Sequence, residues 1–247
     1  MRIKVLTIFP EMFSVLTQYG VISRAIKERV IDFKAINLRD FTSDRHHTTD
    51  DYPYGGGSGL VMKVEPFLKA YEEIIENEGK PHVIMTSPQG KLFNNEKALE
   101  LSKKKSILFL CGRYEGIDER VMNIVDEELS IGDFVLSGGE LPSMVMIESI
   151  LRFVPGVIGD MESVEKDSFF NDLLDYPHYT RPREIKGMKV PDVLLNGNHE
   201  EIELFRRMES LKRTLLRRPD LFLKHELDKM DKKALLQLFR ELIDNVE

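Results

Sequence analysis

The sequence predicts an α/β domain with a parallel sheet, followed by a small helical domain. Three short runs rich in Val, Ile, Leu and Phe are separated by stretches of helical periodicity, and they lie at 3–9, 82–86 and 106–111. Buried parallel strands are near-continuously apolar, and strands that alternate with helices are typical of α/β folds. Beyond the polar, charged stretch 159–168 the patterns are helical. We expect an α/β domain at 1–159, a linker at 160–176 and a helical domain at 177–247.

Four helices are predicted from apolar spacing and capping residues. The first has its stripe at Met12, Leu16, Tyr19, Ile22, Ile26 and Val30, although Gly20 interrupts the pattern. Pro142 can lie in the first turn of the second, whose stripe is Met144, Ile147, Leu151 and Val154. Asn198 caps the third, with Leu204, Met208, Leu211 and Leu215 as its core stripe. Asp231 caps the last, which carries Leu235, Phe239 and Leu242.

Composition narrows the class of protein. The chain has 247 residues and one cysteine, Cys111, so an intrachain disulfide is excluded and a reducing, cytoplasmic location is expected. We predict no membrane-spanning segment and no cleaved leader, because the longest apolar runs are short and Pro10 ends the first one. The net charge of −7 counts against a nucleic-acid partner. However, the stretch 204–218 is strongly basic and either meets a polyanion or forms a solvated helix face.

Two glycine-punctuated segments, 111–118 and 130–142, carry the strongest functional signal. They read CGRYEGID and SIGDFVLSGGELP, and each follows or contains a short apolar run. Glycine allows the main chain to turn sharply and to approach a ligand closely, at an entropic cost in regular structure. The two segments therefore predict one ligand pocket built largely from backbone, although a tight core turn would use the same residues.

Three other features have weaker functional interpretations. Gly55–Gly59 lacks the lysine and spacing of phosphate-binding loops, so it favours substrate contact or closure, or plain connection. His46 and His47 are adjacent and have no third ligand at metal-binding spacing, which predicts no metal there. Cys111 ends an apolar run and is predicted to be a core residue.

Several long motifs resemble one family along nearly the whole chain. They are IFPEMF at 8–13, DYPYGGG at 51–57, VMK at 61–63, SPQG at 87–90, the segments 111–118 and 130–142, RFVPGV at 152–157, DSF at 167–169, LLDYPHYTRP at 173–182 and GNH at 197–199. This set is similar to that of the bacterial tRNA (guanine-N1)-methyltransferases that modify position 37, members of the SPOUT methyltransferases. The sequence differs from the usual residues of that family at Ser58, Leu60 and Asn171–Asp172. The last of these differences affects the expected local conformation of the linker.

The resemblance implies an α/β fold with a deep trefoil knot and a bound cofactor, S-adenosylmethionine. Its motifs assign cofactor binding to Ser87, Pro88, Gly112, Tyr114, Glu115, Ile131, Gly132, Asp133, Phe134, Val135, Leu136, Gly138, Gly139 and Pro142. Main-chain groups there can match the polar edges of adenine, and the apolar side chains can pack on its ring. The resemblance also implies a homodimer whose active site lies between subunits, and dependence on Mg²⁺, with Glu115 as a candidate contact and no protein metal site assigned.

Methylation of guanine N1 needs a general base, because that nitrogen carries a proton at neutral pH. Spacing leaves six candidate carboxylates open: Asp160, Glu162, Glu165, Asp167, Asp172 and Asp175. The resemblance selects Asp167 as the base and Arg152 as the cation that meets charge developing on guanine O6. It implies tRNA contacts on the basic helix and at 178–183. Two alternatives remain: a tRNA-binding module without activity, and a methyltransferase acting on a ribose hydroxyl.

Overall fold

The computed structural model describes residues 1–159 and 167–244 of the chain. The chain divides into two compact units, Met1–Met161 and Glu162–Glu247. Residues 160–166 of the predicted linker lie outside the described part. They include three of the candidate carboxylates, Asp160, Glu162 and Glu165.

A five-stranded parallel sheet forms the centre of the first unit. Its strands are β1 (Arg2–Thr7), β2 (Asp32–Asn37), β5 (His82–Leu92), β6 (Ser106–Leu110) and β7 (Glu127–Ser130), in the order β2-β1-β6-β5-β7. A short antiparallel pair, β3 (Asp50–Asp51) and β4 (Val61–Met62), stands apart from it. The parallel α/β architecture is confirmed, because every neighbouring pair in the central sheet is parallel.

Helices and short 3₁₀ turns surround this sheet. The helices are α1 (Ser14–Gln18), α2 (Gly20–Lys27), α3 (Val64–Glu78), α4 (Asn95–Ser102) and α5 (Glu140–Arg152), and the 3₁₀ turns are Pro10–Phe13, Leu38–Phe41 and Glu119–Ile124. One core cluster joins Leu108 and Leu110 of β6 to Phe67 of α3. Since side chains alternate along a strand, Ile107 and Phe109, also fully buried, face the other side of the sheet.

Two helix predictions in the first unit need correction. The single helix expected around Gly20 is split into α1 and α2, because Gly20 adopts a left-handed φ of 71° at the junction. Helix α5 does carry Pro142 in its first turn, but its buried face is centred on Met146 and Ile150 beside the predicted Ile147 and Leu151.

The second unit is mainly helical in its described part. It contains α6 (His199–Arg217), α7 (Pro219–Phe222), α8 (Lys229–Asp244), a 3₁₀ turn at Asp192–Leu194 and a small hairpin that the sequence did not predict, β8 (Glu184–Ile185) with β9 (Met188–Lys189). Its core comprises Leu173, Met208, Leu211, Ala234 and Leu238. The Asn198 cap is confirmed, since its side chain accepts the N–H groups of Glu200 and Glu201.

Three predictions in the second unit are wrong in detail. Leu215 is exposed, and Thr214 is fully buried in its place. Phe239 is also exposed, because the buried face of α8 runs through Ala234 and Leu238. Asp231 is not the cap of α8: the Asp228 carboxylate accepts the Asp231 N–H at 2.8 Å, and Asp231 accepts the Asp228 N–H in return at 2.9 Å.

Within residues 1–159 and 167–244, no helix has both the length and the hydropathy to cross a membrane.

Candidate active site

A cavity of about 540 Å³ lies where β5, β6 and β7 end. Its walls come mainly from three segments: residues 87–89 lie within β5, and residues 112–117 and 131–139 follow β6 and β7. In open α/β sheets, ligands bind outside the carboxyl ends of the strands. Both glycine-rich segments singled out in the sequence therefore meet at the position where this fold class places ligands.

The first wall is a loop that interrupts β5. Thr86 and Lys91 both pair with Leu129 of β7, so the four residues between them are looped out of the sheet. A Cβ atom added at Gly90 would lie 2.4 Å from the Leu129 main-chain nitrogen. Because any side chain at residue 90 would overlap the main chain of β7, only glycine allows β5 to resume its pairing with β7 after the loop.

The second and third walls are joined at Gly139. Its N–H donates to the carbonyl oxygen of Gly112 at 2.9 Å. A Cβ atom added there would lie 2.4 Å from Thr86 Oγ1 and 2.8 Å from Cys111 Cα. Gly139 thus allows the segment after β7 to pack directly against the main chain after β6 and against the Thr86 side chain of β5.

The third wall presents apolar side chains to solvent. Phe134, Val135 and Leu136 are all exposed, Val135 by 90%. The turn is fixed by Gly132, whose φ is 146° and whose carbonyl accepts the Phe134 N–H at 3.0 Å. A cluster of exposed large apolar groups beside a cavity marks a surface that binds a ligand or another protein.

A buried ion pair supports two of these walls. Glu140, fully buried at the start of α5, accepts hydrogen bonds from Arg113 Nε at 2.8 Å and from Thr7 Oγ1 at 2.7 Å. The Arg113 guanidinium also lies 4.7 Å from the centre of the Phe9 ring. This ion pair was not predicted from the sequence, although Arg113 lies in one glycine-rich segment and Glu140 in the other.

Nearly all of the predicted cofactor-binding residues line the cavity. They are Ser87, Pro88, Gly112, Tyr114, Glu115, Ile131, Gly132, Phe134, Val135, Leu136, Gly138, Gly139 and Pro142. Asp133 is exposed and lies outside the described lining. Gln89, which belongs to the SPQG motif at 87–90, also lines the cavity, as does Thr86, which was not predicted as a contact.

Cys111, which directly precedes the cavity-lining Gly112, is a core residue. The thiol is fully buried, and its sulfur lies 3.3 Å from Ser143 Oγ. Burial, with the nearby Glu140 charge, raises the pKa of the Cys111 thiol. The thiol therefore stays protonated and cannot serve as a nucleophile at neutral pH.

The glycine-rich loop between β3 and β4 adjoins the cavity wall. Glu115 donates its N–H to the carbonyl oxygen of Leu60 at 3.0 Å, and a Cβ atom on Gly59 would lie 2.4 Å from Glu115 Oε1. Tyr52 and Tyr54 of the same loop are highly exposed. The loop is thus placed next to Glu115, with two aromatic rings available for contact.

No metal centre is evident in the described part of the chain, where no three His, Cys, Asp or Glu side chains come together. His47 Nδ1 lies 3.2 Å from Thr42 Oγ1 and 3.1 Å from the Arg39 carbonyl oxygen. These contacts are those of a loop-stabilising histidine.

The two predicted catalytic residues belong to different units. Arg152 is the last residue of α5 and is exposed. Asp167 is half-buried in the second unit, where its carbonyl oxygen accepts the Phe170 N–H at 3.4 Å in a tight turn. Phe169 and Asp172 in that turn have positive φ values of 73° and 54°. Asp172 belongs to the pair Asn171–Asp172, one of the places at which the sequence departs from the family that it resembles.

The basic helix α6 has fewer available charges than the sequence suggested. Arg206 pairs with Glu203 at 2.7 Å, and Arg207 pairs with the buried Asp231. Lys212 and Arg218 also have acidic partners. Arg213 and Arg217 take part in no ion pair among the described residues, so they are the cations of α6 best placed to meet a polyanion.

Two aromatic side chains, Tyr176 and His178, lie beside Arg206 of α6. The Arg206 guanidinium lies 5.0 Å from the centre of the Tyr176 ring, and the His178 ring lies 4.7 Å from the same ring. His178 Nε2 is 2.7 Å from Asp175 Oδ2.

Comparison with known proteins identifies the family. The family model described as tRNA (Guanine-1)-methyltransferase TrmD matches residues 1–224. A tRNA (guanine-N(1)-)-methyltransferase of Thermosipho africanus is 64% identical over 247 residues, the full length of both chains. One from Thermotoga petrophila is 61% identical over 244 residues, 99% of both chains. The crystal structure of a tRNA (m1G37) methyltransferase from Aquifex aeolicus has a TM-score of 0.74 at 45% identity, over 91% of this chain and 95% of that one. The chain therefore belongs to the tRNA (guanine-N1)-methyltransferase family.

Proposed function

We propose that the protein transfers the methyl group of S-adenosylmethionine to N1 of the guanine at position 37 of tRNA, beside the anticodon. Its family makes it a tRNA (guanine-N1)-methyltransferase. The observation that carries the proposal is the cavity at the ends of β5, β6 and β7, built from the same glycine-rich segments that carry the family's motifs.

The cavity fits the cofactor in size and in chemistry. A volume of about 540 Å³ is within the range of small-molecule sites. Main-chain groups of the lining segments 112–117 and 131–139 can donate to and accept from the adenine edges, and Phe134 and Leu136 offer apolar area for its ring. When bound, the sulfonium supplies an electrophilic methyl group.

Asp167 is the proposed general base. Guanine N1 has no lone pair available for the methyl group until its proton leaves, and the Asp167 carboxylate accepts that proton. The displaced charge moves toward O6, where the Arg152 guanidinium donates a hydrogen bond. A positioned base typically contributes about 10²- to 10⁴-fold in rate.

We also propose the homodimer and the trefoil knot that the family resemblance implies. The exposed apolar residues Leu141 and Val145 of α5, and Val15 and Tyr19 around α1, support a protein–protein contact on the first unit. An active site shared between two chains can be tested by mixing Asp167→Asn chains with Gly139→Ala chains. If each site takes Asp167 from one chain and the cofactor cavity from the other, the mixed dimer contains one intact site and activity is recovered. If each site lies within one chain, activity is not recovered.

The close packing of the segments that meet at Gly139 supports the knot.

We also propose that methyl transfer depends on Mg²⁺, and we assign the ion no individual step. Magnesium ions in proteins keep several water ligands and need only one or two carboxylates. Glu115, which lines the cavity, can supply one.

The function is tested with the purified protein, labelled S-adenosylmethionine and tRNA transcripts that differ only at position 37. We expect label in the G37 transcript alone, and 1-methylguanosine as the modified nucleoside by mass analysis. Label on a ribose, or equal label when position 37 is adenine, would overturn the proposal. Binding of the G37 transcript without methyl transfer would indicate a tRNA-binding module instead.

A further inference from the structure

Two buried hydroxyl groups of α6 hold the segment that carries Asp167. Ser210 and Thr214 are one helical turn apart, and both are buried, Thr214 completely. Residues 167–175 run past them as irregular chain. The peptide groups of such a segment need partners outside regular secondary structure, because an unpaired buried N–H or C=O costs about 1–3 kcal/mol.

Both polar groups of Leu174 find those partners on α6. The Leu174 N–H donates to Thr214 Oγ1 at 2.8 Å, and its carbonyl oxygen accepts from Ser210 Oγ at 2.5 Å. Thr214 Oγ1 in turn donates to the Ser210 carbonyl oxygen at 2.7 Å. Because the Thr214 hydroxyl both accepts and donates, its orientation is fixed.

Further bonds within the second unit fix the rest of the turn. Ser168 Oγ accepts the Asp175 N–H at 2.9 Å, and the Phe169 N–H donates to the Leu173 carbonyl oxygen at 2.8 Å. The Leu173 side chain is buried in the core with Met208 and Leu211 of α6. Asp167 therefore precedes a closed turn whose base is attached to α6.

We propose that Ser210 and Thr214 are positioning residues for methyl transfer, which set where the Asp167 carboxylate lies relative to the basic helix. This inference rests on the proposed role of Asp167 as base. Arg213 and Arg217 lie on α6 within one turn of Thr214, so tRNA bound by these arginines also restrains the helix to which the Asp167 turn is attached. Substrate recognition and placement of the base would then share one rigid element.

The test uses the full-length protein with a Thr214→Val substitution, which keeps side-chain shape and removes the hydroxyl. We expect the single-turnover methylation rate of the G37 transcript to fall about 10- to 100-fold, the loss typical of an ångström-scale misplacement. The dissociation constants for tRNA and S-adenosylmethionine should stay within about twofold, since the contacting groups remain. Thr214→Ser, which keeps the hydroxyl, should recover most of the rate. If Thr214→Val does not fold, Ser210→Ala serves in the same assay.

A double substitution separates positioning from general loss of structure. If Thr214 acts through Asp167, then Thr214→Val should cause little further loss in an Asp167→Asn background, because the base is already absent. An equal fold-loss in both backgrounds, or a wild-type rate for Thr214→Val, would overturn the positioning role. The proposed function fails separately, if Asp167→Asn alone retains the wild-type rate.

Discussion

Replacement of Gly139 with alanine should weaken cofactor binding, because the cavity has no room for a methyl group at this position. The new Cβ atom would lie 2.4 Å from Thr86 Oγ1, 2.8 Å from Cys111 Cα and 3.0 Å from the Gly112 nitrogen. Two of these three atoms belong to the main chain and cannot rotate away. Overpacking of this kind typically costs about 1–3 kcal/mol, and the backbone contacts place Gly139→Ala toward the upper end. A loss of about 3 kcal/mol that fell wholly on cofactor binding would weaken the dissociation constant about 100-fold.

Calorimetric titration with S-adenosylmethionine, together with thermal unfolding, measures both parts of the effect. Gly159→Ala is the matched control, because a Cβ atom there meets nothing within 4 Å and its φ is ordinary for an L-residue. We expect the control to bind as the wild type does, and Gly139→Ala to bind at least about 10-fold more weakly. Wild-type affinity and unchanged stability in Gly139→Ala would refute the argument that close packing at Gly139 shapes the site.

Three further predictions concern the second unit. Burial opposes ionisation of Asp231, but the hydrogen bond from Arg207 and its other partners outweigh burial and lower the pKa of Asp231 to about 2. Its contribution of about 2 kcal/mol should therefore be present above about pH 4 and lost as the pH falls toward 2. Urea unfolding between about pH 4 and 2 measures this loss of stability. In Asp231→Asn the part of the loss that comes from Asp231 should be absent. Asp172→Gly should raise stability by up to about 1 kcal/mol in the same assay, because glycine relieves the left-handed φ of 54° at some entropic cost. Arg213→Ala with Arg217→Ala should weaken tRNA binding and lower its salt slope by about 1.5, and unchanged binding across a salt series would place the RNA elsewhere.

The central strands and the cavity could be predicted from sequence because their signals are local. The strands β1 and β6 and the first residues of β5 are rich in Val, Ile and Leu, which is typical of strands buried in the centre of a parallel sheet. Strand β2 was not predicted, because it is an edge strand whose residues are exposed or only partly buried. The glycines at 138 and 139 indicated the cavity because a Cβ atom there would overlap the Arg113 side chain or the main chain of Cys111.

Features that depend on distant partners could not be predicted in the same way. Apolar spacing placed Leu215 in the core, yet Thr214 is buried because its hydroxyl serves the Leu174 peptide, forty residues earlier. The ion pairs of the basic stretch 204–218 were not predicted, because two of its acidic partners, Asp220 and Asp231, lie beyond it in the sequence. Long-range pairing of this kind has no periodicity of its own.

The single-turnover methylation rate of Asp167→Asn tests the central claim most directly. The substitution keeps the size of the side chain and removes its ability to accept the N1 proton. With the G37 transcript, we expect a fall of about 10²- to 10⁴-fold, while calorimetry shows an unchanged affinity for S-adenosylmethionine. Asp172→Asn, in the same turn, is the matched control and should keep nearly the full rate. A near-wild-type rate of 1-methylguanosine formation by Asp167→Asn would contradict the assignment of the base.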